Sequence, residues 1–463
     1  MRYCNVISIY SNNDYMILGV YLQAFVSSRG TMIYTIVLLG LTFVHLIYIP
    51  KMTLAVADFV SDNNSSGFYS MEKQNLLMSP PLLVRLINSI VMTLMGIVSR
   101  INALVYTRIH LPKAFSELNS IDELLGVELK HRRSNIRAIW ILIGSSILVG
   151  LIGQIYSAIF IHVAGSYFIT LHILMNNLNN FTSVLAEAQF IAICYLIKSR
   201  FEIVNSRLLD IATFCDVRKL EYFSSPDPTE LGIIFRKAGS HLNSKYGPML
   251  RKEFLLQGKQ RPLLHISDKS IARGIEILRL GHQRLCTVVD EVNYMFQLQL
   301  LFSLSGCFLN QLFNMYSFFA GGSWGWRKNH DLNQPHDEAL AFLSHPLNNL
   351  SWAIYYVARF VAVVVMASKT TTTGKNAIIH ILNIRRGNME FATKEELVLF
   401  YDHVTSRKVE FSAAGFFNLD IALISSVSEA RIYYTSKCFL SIAFHKMSNS
   451  DIQSLTRNYF RQL

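Results

Sequence analysis

Seven long apolar runs constrain this chain more strongly than any other feature of its sequence. A run of about 18 or more apolar residues can cross the ~30 Å hydrocarbon core of a bilayer as an α-helix, which satisfies its own backbone hydrogen bonds. Composition agrees, because 51% of the residues are hydrophobic and only 16% are charged. We therefore predict an all-α membrane protein with seven transmembrane helices. The runs cover residues 31–49, 82–106, 138–161, 166–197, 294–320, 347–367 and 411–444.

The ends of these runs are not equally well defined. We expect Pro50 to end the first run, because proline lacks the amide proton that a continuing helix needs. The seventh run is the weakest, since Glu429, Arg431 and Lys437 interrupt it.

The distribution of Lys and Arg predicts the orientation in the membrane, because cytoplasmic loops are enriched in these residues. The loops after the second, fourth and sixth runs contain 29 of them, whereas the loops after the first, third and fifth runs contain four. We therefore expect a cytoplasmic amino terminus and an external carboxyl terminus, the reverse of a G-protein-coupled receptor. Two overlapping glycosylation sequons at 63–66 fit an external first loop. The same distribution explains the net charge of +12 without a nucleic-acid partner.

The helix of the fifth run is expected to begin in water. An apolar stripe with heptad spacing precedes that run without a break, and ordinary helix packing or an oligomer seam would each explain it. We expect the fourth and sixth helices to extend into the cytoplasm in the same way, to about Leu209 and Arg386. The stripe consists of Ile271, Ile275, Leu278, His282, Leu285, Val289, Val292 and Phe296.

The chain divides into a cytoplasmic amino terminus (1–30), a seven-helix membrane domain (31–444) and an atypical carboxyl-terminal tail (445–463). Within the domain, residues 223–262 contain four prolines among charges and glycines, which is typical of a disordered insert.

The sequence predicts neither an enzyme nor a cofactor. It contains no Walker loop, no HExxH or GxSxG motif and no dinucleotide fingerprint. The six cysteines fall in cytosolic or intramembrane positions with no close pair, which predicts reduced thiols without a disulfide framework or a zinc site.

Three stretches resemble the insect gustatory receptor family. The run EAQFIAICYLIKSRFEIVN at 187–205 is similar to the end of that family's fourth span, with its Gln-Phe pair and Arg-Phe helix. The stretch LGHQRLCTVVDEVNYMFQLQLL at 280–301 resembles the family's His-x-x-Leu-Cys motif with the following Asn and Gln-Leu-Leu. The stretch VEFSAAGFFNLDIAL at 409–423 resembles Phe-Ser-Ala-x-Gly-Phe-Phe-x-Leu-Asp before the last span. The three occur in the family's order on the expected spans.

The resemblance implies a ligand-gated, nonselective cation channel of four subunits, homomeric or heteromeric, in the plasma membrane of a chemosensory neuron. In that family the seventh span lines the pore, cytoplasmic helix extensions tether the subunits, and each subunit has an external pocket for a small-molecule tastant. The corresponding pore residues here are Leu423, Ile424, Ser425, Ser426 and Val427, with the serines as polar lining and the apolar residues as a dewetting gate. Packing against lipid or a neighbouring helix is the alternative for each of them.

The resemblance ends near Val427. Glu429 stands where the family has glycine, and Lys437 falls within the span, where a charge costs about 2.5–3.5 kcal/mol. We hypothesise that the sequence from Ser428 onward reads past a splice site, which sequencing the 3′ end of the transcript tests.

An external pocket would use the outer halves of the second to sixth spans. Aromatic faces with a few hydrogen-bonding groups suit sugars or small organic tastants, although interhelical polar contacts and interfacial aromatic belts explain the same residues. The candidate ligand-binding residues are Tyr156, His172, Asn176, Asn314, Tyr316, Trp352, Tyr355 and Tyr356, and a wider set adds Gln154, His162, Tyr167 and Asn310.

Two other functions fit the sequence less well. A membrane transporter would have broken helices and intramembrane charges near the midplane. An odorant-type receptor would share the fold and ion conduction, and only the motif details favour taste.

Overall fold

The chain is helical through nearly all of the residues that the structure describes, which confirms the predicted all-α fold. The computed structural model describes residues 29–62, 80–127, 167–223, 268–328, 335–385 and 390–430, with single positions at 137, 141, 144, 148, 433 and 437. The helices are α1 (Arg29–Asp62), α2 (Pro80–Asn102), α3 (Arg108–Leu124), α4 (Tyr167–Phe223), α5 (Asp268–Lys328), α6 (Pro335–Lys375), α7 (Ala377–Arg385), α8 (Phe391–Ser406) and α9 (Ile421–Ala430).

Five segments of the described chain are long and apolar enough to cross a membrane. They are α1, α2 continued by α3, α4, α5 and α6. The seventh run was predicted as helical from residue 411, but residues 411–420 are not helical, and the shorter apolar helix α9 begins at Ile421. Most of the third run lies outside the described residues, so the count of seven spans stays a prediction. The amino terminus before residue 29, the sequons at 63–66, the predicted insert after Phe223 and the tail 445–463 also lie outside them.

Pro50 does not end α1, contrary to our expectation, because the helix continues to Asp62. Membrane helices tolerate proline more readily than water-soluble ones, since neighbouring groups and small local adjustments satisfy the backbone carbonyl that proline leaves free. A proline therefore marks the end of a helix less reliably in a membrane protein.

The second helix continues well beyond its apolar run. A π-helical turn at Ala103–Thr107 connects α2 directly to α3. The sequence analysis placed this segment in a loop, because α3 is too polar overall to be recognised as an apolar run. The buried residues of α3 recur every three or four positions, as an amphipathic helix requires, and pack against α5. They include Leu111, Ala114, Leu118 and Ile121.

Gly126 ends α3 by adopting a left-handed backbone conformation, with φ +54°. The amide of Val127 donates to the carbonyl of Asp122 at 3.0 Å, and the amide of Gly126 donates to the carbonyl of Glu123 at 3.1 Å. This is a Schellman motif, which satisfies the last carbonyls of the helix and favours glycine.

The longest helices, α4 and α5, contain 57 and 61 residues. At 1.5 Å per residue they extend about 85 and 90 Å, almost three times the thickness of the hydrocarbon core. The stripe at the start of α5 continues without a break into the apolar run, as predicted, and it is buried within this chain, as ordinary helix packing requires. Its buried members are Ile275, Leu278, His282, Leu285, Val289, Val292 and Phe296.

The other helices extend at the same end of the bundle. The fourth helix passes Leu209 and ends at Phe223, while α6 ends at Lys375 and α7 continues to Arg385, close to the predicted end. We call α3, α7, α8 and the adjoining parts of α4 (190–223) and α5 (268–296) the lower bundle, and the opposite part of the molecule the upper bundle.

Two elements of the lower bundle were absent from the sequence prediction. The first is α8, which packs against α5 and α7 through the buried Thr393, Leu397, Phe400 and Val404. The second is an antiparallel hairpin of β1 (Ser412–Ala413) and β2 (Phe417–Asn418), which we include in the lower bundle.

The hairpin turns through two residues with positive φ. Ala414 has φ +50° and Gly415 has φ +76°, and the amide of Phe416 donates to the carbonyl of Ala413 at 3.0 Å. This is the pattern of a type I′ turn, which glycine adopts without steric cost. Directly after β2, the Oδ1 atom of Asp420 accepts the amide of Leu423 at 3.0 Å and caps the start of α9.

Candidate ligand-binding and gating site

The three stretches that carry the family resemblance meet in the lower bundle. The ring of Phe190 on α4 lies with its centroid 5.5 Å from that of Phe296 on α5 and 5.5 Å from that of Phe411 before β1. All three rings are buried, and edge-to-face pairs of this kind add about 0.5–1.5 kcal/mol beyond burial. The motifs are therefore parts of one packed cluster.

Asn293 fastens the hairpin to α5. Its Oδ1 atom accepts the amide of Ser412 at 2.9 Å, and its Nδ2 atom lies 3.5 Å from the Ser412 hydroxyl. The amide of Leu419 donates to the carbonyl of Phe411 at 2.9 Å and closes the hairpin. The start of α9 is thus connected to α5 through a short hydrogen-bonded link.

The predicted pore residues lie on two different faces of α9. Leu423, Ile424 and Val427 are half-buried and pack against the core of the chain. Ser425 and Ser426 are exposed, and the Ser426 hydroxyl donates to the carbonyl of Ala422 at 3.1 Å. The serines therefore lie on a surface that a single chain leaves open.

A buried ion pair lies between the apolar helices. The Nη2 and Nε atoms of Arg359 on α6 donate to the two carboxylate oxygens of Glu187 on α4, at 2.6 and 2.9 Å. Arg359 also donates to Asn180 at 2.6 Å and to Ser183 at 3.3 Å, and the Ser303 hydroxyl donates to Glu187. Because the two side chains are 7% and 4% exposed, this full set of partners is what makes the charges tolerable in the bundle.

Arg359 lies inside the sixth apolar run, but no partner for it was predicted from the sequence. The signal for that partner was a single carboxylate, Glu187, two residues before the Gln-Phe pair of an apolar run.

Three of the predicted ligand-binding residues form an aromatic group beside this ion pair. The ring centroids of Tyr355 and Tyr356 lie 5.3 and 5.6 Å from the guanidinium carbon of Arg359, a favourable cation–π distance. The ring of Trp352 lies 5.4 Å from that of Tyr355 and 6.1 Å from that of Tyr356. The group is partly open, since Tyr356 is buried whereas Trp352 and Tyr355 are half-buried.

Asn310 of α5 lies close to this aromatic group. Its Nδ2 atom donates to the carbonyl of Gly306 at 2.8 Å and lies 3.3 Å from the sulfur of Met92, which is 3.5 Å from the Tyr356 hydroxyl. Its Oδ1 atom is buried and has no hydrogen-bond partner among the described residues. An unpaired buried acceptor of this kind is suited to a hydrogen bond from a ligand. One turn further on, Asn314 donates to the Asn310 carbonyl at 2.6 Å.

His172 and Asn176 belong to a separate polar cluster between α1, α2 and α4. The Nδ1 atom of His172 lies 3.2 Å from Nε2 of His45, and its Nε2 atom lies 3.2 Å from the hydroxyl of Ser89. The amide nitrogen of Asn176 lies 3.2 Å from His172 and 3.3 Å from Ser89. The structure therefore divides the predicted ligand-binding residues into two groups, while Tyr316 is half-buried on α5 and Tyr156 lies outside the described residues.

Arg100 connects the same three helices. It is 1% exposed and donates to Thr42 at 2.9 Å, to Asn179 at 2.7 Å and to Thr182 at 3.3 Å. A Cβ atom placed on Gly96 would lie 2.6 Å from Oδ1 of Asn179. The absence of a side chain at Gly96 is therefore what lets α2 approach α4 closely enough for this network.

Ion pairs join α5 to α8 and the residue that follows it. Arg279 pairs with Glu396 at 3.2 Å, and Arg407 pairs with Asp290 at 2.8 Å. Burial lowers the pKa of His403 on α8, and the positive charges of Arg407 and Arg279 lower it further, so that its ring is neutral near pH 7.

Comparison with known proteins identifies the family. The sequence model of the 7tm chemosensory receptor family matches residues 23–434. The chain belongs to the 7tm chemosensory receptor family. The match agrees with the resemblance described above, and it ends at Tyr434, beyond Val427, where we expected the resemblance to end.

The fold of this chemosensory receptor is that of a solved insect receptor. Two structures of the olfactory receptor OR5 from Machilis hrabei, one of them in complex with eugenol, give TM-scores of 0.53 and 0.54 at 9% sequence identity. The matches cover 88% and 90% of this chain and 89% and 91% of those chains. At this identity the likeness concerns the fold. The sequence has no match among curated proteins.

Proposed function

We propose that this chemosensory receptor is a subunit of a tastant-gated, nonselective cation channel. Four subunits, identical or mixed, would surround one ion pathway in the plasma membrane of a chemosensory neuron, each with seven spans and a cytoplasmic amino terminus. The observation that carries this proposal is the exposed serine face of α9, the helix that the hairpin connects to α5. A polar face left open in a membrane protein favours a neighbouring subunit or a water-filled path over lipid.

The two faces of α9 suggest a division of roles in the pore. Ser425 and Ser426 are proposed to line the ion pathway, where their hydroxyls can replace part of the hydration of a passing cation. Leu423, Ile424 and Val427 are proposed to close the pathway by dewetting when α9 turns them toward the channel axis.

The tastant is proposed to bind beside Asn310, Tyr355 and Tyr356. The aromatic rings and the Met92 sulfur offer apolar contact, and the unpaired Oδ1 atom of Asn310 offers one directed acceptor. A small organic molecule with at least one hydrogen-bond donor matches this chemistry. The surrounding positions proposed for ligand contact are Trp352, Asn314, Tyr316 and Tyr156, with His172 and Asn176 as a second polar group.

The ion pair offers a route from this site to the pore. Arg359 contacts both tyrosine rings and Glu187. Glu187 lies one helical turn before Phe190, whose ring packs on Phe411 at the base of the hairpin. A ligand that moves the tyrosines would therefore shift the balance between two positions of the hairpin and of α9.

An odorant-type receptor is the second candidate, because the solved structures with this fold are olfactory receptors. The intramembrane charges of Glu187 and Arg359 favour the transporter alternative. However, α4, α5 and α6 are continuous through that region, whereas transporter sites of this kind lie at broken helices.

Whole-cell recording tests the proposal. The receptor would be expressed alone and together with other members of its family, and exposed to sugars, bitter compounds and volatile odorants. We expect a current carried by several monovalent cations and evoked by at least one tastant. Asn310→Leu should abolish the response, whereas Asn205→Leu, at a buried asparagine of the lower bundle, should leave the same ligand effective.

The other outcomes of this recording are equally informative. Responses to volatile odorants alone would favour the odorant-type receptor. Surface expression without any ligand-evoked current, in every combination, would contradict a channel.

A further inference from the structure

A cluster of metal-binding side chains lies in the lower bundle between α5 and α8. His282, Cys286 and His403 each offer one ligand atom, and these atoms all lie within 4.8 Å of one another. His282 and Cys286 are buried one turn apart on α5, and His403 lies half-buried in the last turn of α8. The cluster belongs to neither the proposed tastant site nor the ion pathway.

Hydrogen bonding determines which nitrogen of His282 faces the cysteine. Its Nε2 atom lies 3.2 Å from the carbonyl oxygen of Gly374, and since a carbonyl only accepts, Nε2 carries the proton. In the neutral ring, Nδ1 then presents its lone pair toward Sγ of Cys286, 3.5 Å away. Metal-binding histidines commonly donate their other ring N–H to a carbonyl in this way, which fixes the ring and its tautomer.

His403 supplies an independent observation. Its Nε2 atom is buried and has no hydrogen-bond partner among the described residues. Its ring stands at 88° to that of His282, with the centroids 5.7 Å apart. Buried polar atoms are normally paired, so an unpaired ring nitrogen beside two other ligand groups indicates a missing partner.

We propose that His282, Cys286 and His403 bind a divalent transition-metal ion, for which zinc is the best fit, although cysteine spacing alone predicted no zinc site. Zinc prefers nitrogen and thiolate ligands, at about 2.0–2.1 Å and 2.3 Å, in tetrahedral geometry. Those bond lengths separate a sulfur and a nitrogen ligand by about 3.5 Å, which is the distance between Cys286 Sγ and His282 Nδ1.

Metal binding would release one proton from the cluster. The thiol of Cys286 loses its proton to solvent as the sulfur–metal bond forms, and both imidazoles bind as neutral rings. Three protein ligands leave the fourth position for a water molecule.

Burial and the positive charges of Arg407 and Arg279 lower the pKa of His403, and those charges are offset in part by carboxylates. The nearest arginines, Arg279 and Arg407, are each paired with a carboxylate, Glu396 at 3.2 Å and Asp290 at 2.8 Å. The thiolate then compensates one of the two positive charges of the metal.

The site would hold α5 and α8 together close to the hairpin. His403 precedes Phe411 by eight residues, and Phe411 is the hairpin residue that packs on Phe190. A metal bound here would stabilise the segment that leads into α9.

Metal analysis of the purified full-length receptor tests this site without reference to channel activity. After equilibration with buffered zinc, we expect about one zinc ion per chain. Cys286→Ser and His403→Gln should each weaken binding by more than about tenfold, since even partners of the ligands contribute ~10–100-fold. The matched controls Cys307→Ser, a buried cysteine elsewhere on α5, and His380→Gln, a half-buried histidine on α7, should keep the zinc.

Cobalt substitution of the unaltered receptor gives a second readout that does not depend on the folding of any variant. A tetrahedral cobalt site with a thiolate ligand produces visible ligand-field bands and a sulfur-to-metal charge-transfer band. An unaltered receptor that shows neither stoichiometric zinc nor these bands would overturn the proposal. Zinc retained in both Cys286→Ser and His403→Gln would overturn it equally.

Discussion

Glu187 and Arg359 show at the scale of single residues how this bundle holds full charges between apolar helices. Each carboxylate oxygen of Glu187 accepts a guanidinium N–H, and Asn180, Ser183 and Ser303 complete the network. A pair of this kind adds little net stability over a well-packed apolar pair, but the loss of one partner leaves the other as a buried unpaired charge.

Breaking this pair should be costly, and removing both charges should cost less. We expect Arg359→Met to destabilise the receptor by about 3–5 kcal/mol, and the double variant with Glu187→Gln to recover much of that loss. Thermal unfolding of the purified protein measures both. The control Glu202→Gln removes the exposed pair Lys198–Glu202 on α4 and should change stability by about 0.3–0.5 kcal/mol. Equal losses in the single and double variants would contradict this account of the pair.

A second prediction concerns the close approach of α2 and α4. In Gly96→Ala the new methyl group would lie 2.6 Å from Oδ1 of Asn179, which binds Arg100, and overpacking of this kind costs about 1–3 kcal/mol. Gly40 on α1 is the matched control, because a Cβ there meets nothing within 4 Å. Gly40→Ala should leave the melting temperature unchanged or raise it, as alanine is the better helix former. The prediction is wrong if both variants melt alike.

At the scale of elements, the sequence predicted the helices that contain long apolar runs. α1, α2, α4, α5 and α6 were predicted because each contains a long run of mainly apolar residues. α3 and α8 were not predicted, because each buries only one residue in three or four and is polar elsewhere. The hairpin was not predicted, because strands of two residues are too short to show an alternation of apolar and polar residues.

The contacts of the candidate site were also only partly predicted, because they join residues that are far apart in the sequence. His172 and Asn176 are both among the predicted ligand-binding residues, they lie one turn apart on one helix, and the structure shows them in contact. Glu187 and Arg359 are 172 positions apart, and His403 lies far along the chain from Cys286. No local pattern in a single sequence reports which helices pack together, so these contacts could not be foreseen.

The hairpin turn yields a prediction at this scale. Gly415 has φ +76°, and a Cβ there would meet nothing within 4 Å, so any cost of substitution comes from backbone conformation alone. Asparagine tolerates this conformation, alanine does less well and a β-branched residue worst. We expect stability and ligand-evoked current to fall in the order Gly415→Asn, Gly415→Ala, Gly415→Val, with a loss of about 1–2 kcal/mol for alanine. Similar behaviour of the asparagine and valine variants would contradict the type I′ turn.

At the scale of the whole molecule, one subunit leaves one face of α9 uncovered. The helix packs through Leu423, Ile424 and Val427 on its own chain and exposes Ser425 and Ser426. Four copies arranged around an axis would bring these serines together, whereas lipid would offer them no hydrogen bonds. The proposed channel is therefore a property of the assembly, and its ion pathway can be tested directly.

Cysteine accessibility during current recording provides that test. Ser425→Cys and Ser426→Cys would be compared with Ile354→Cys, an exposed position on α6 outside the proposed pore helix. A membrane-impermeant cationic thiol reagent should block ligand-evoked current through either serine position, more rapidly while the channel is open, and leave the Ile354→Cys channel unaffected. Ligand-evoked current that persists unchanged in both serine variants after exposure to the reagent would contradict an ion pathway lined by α9.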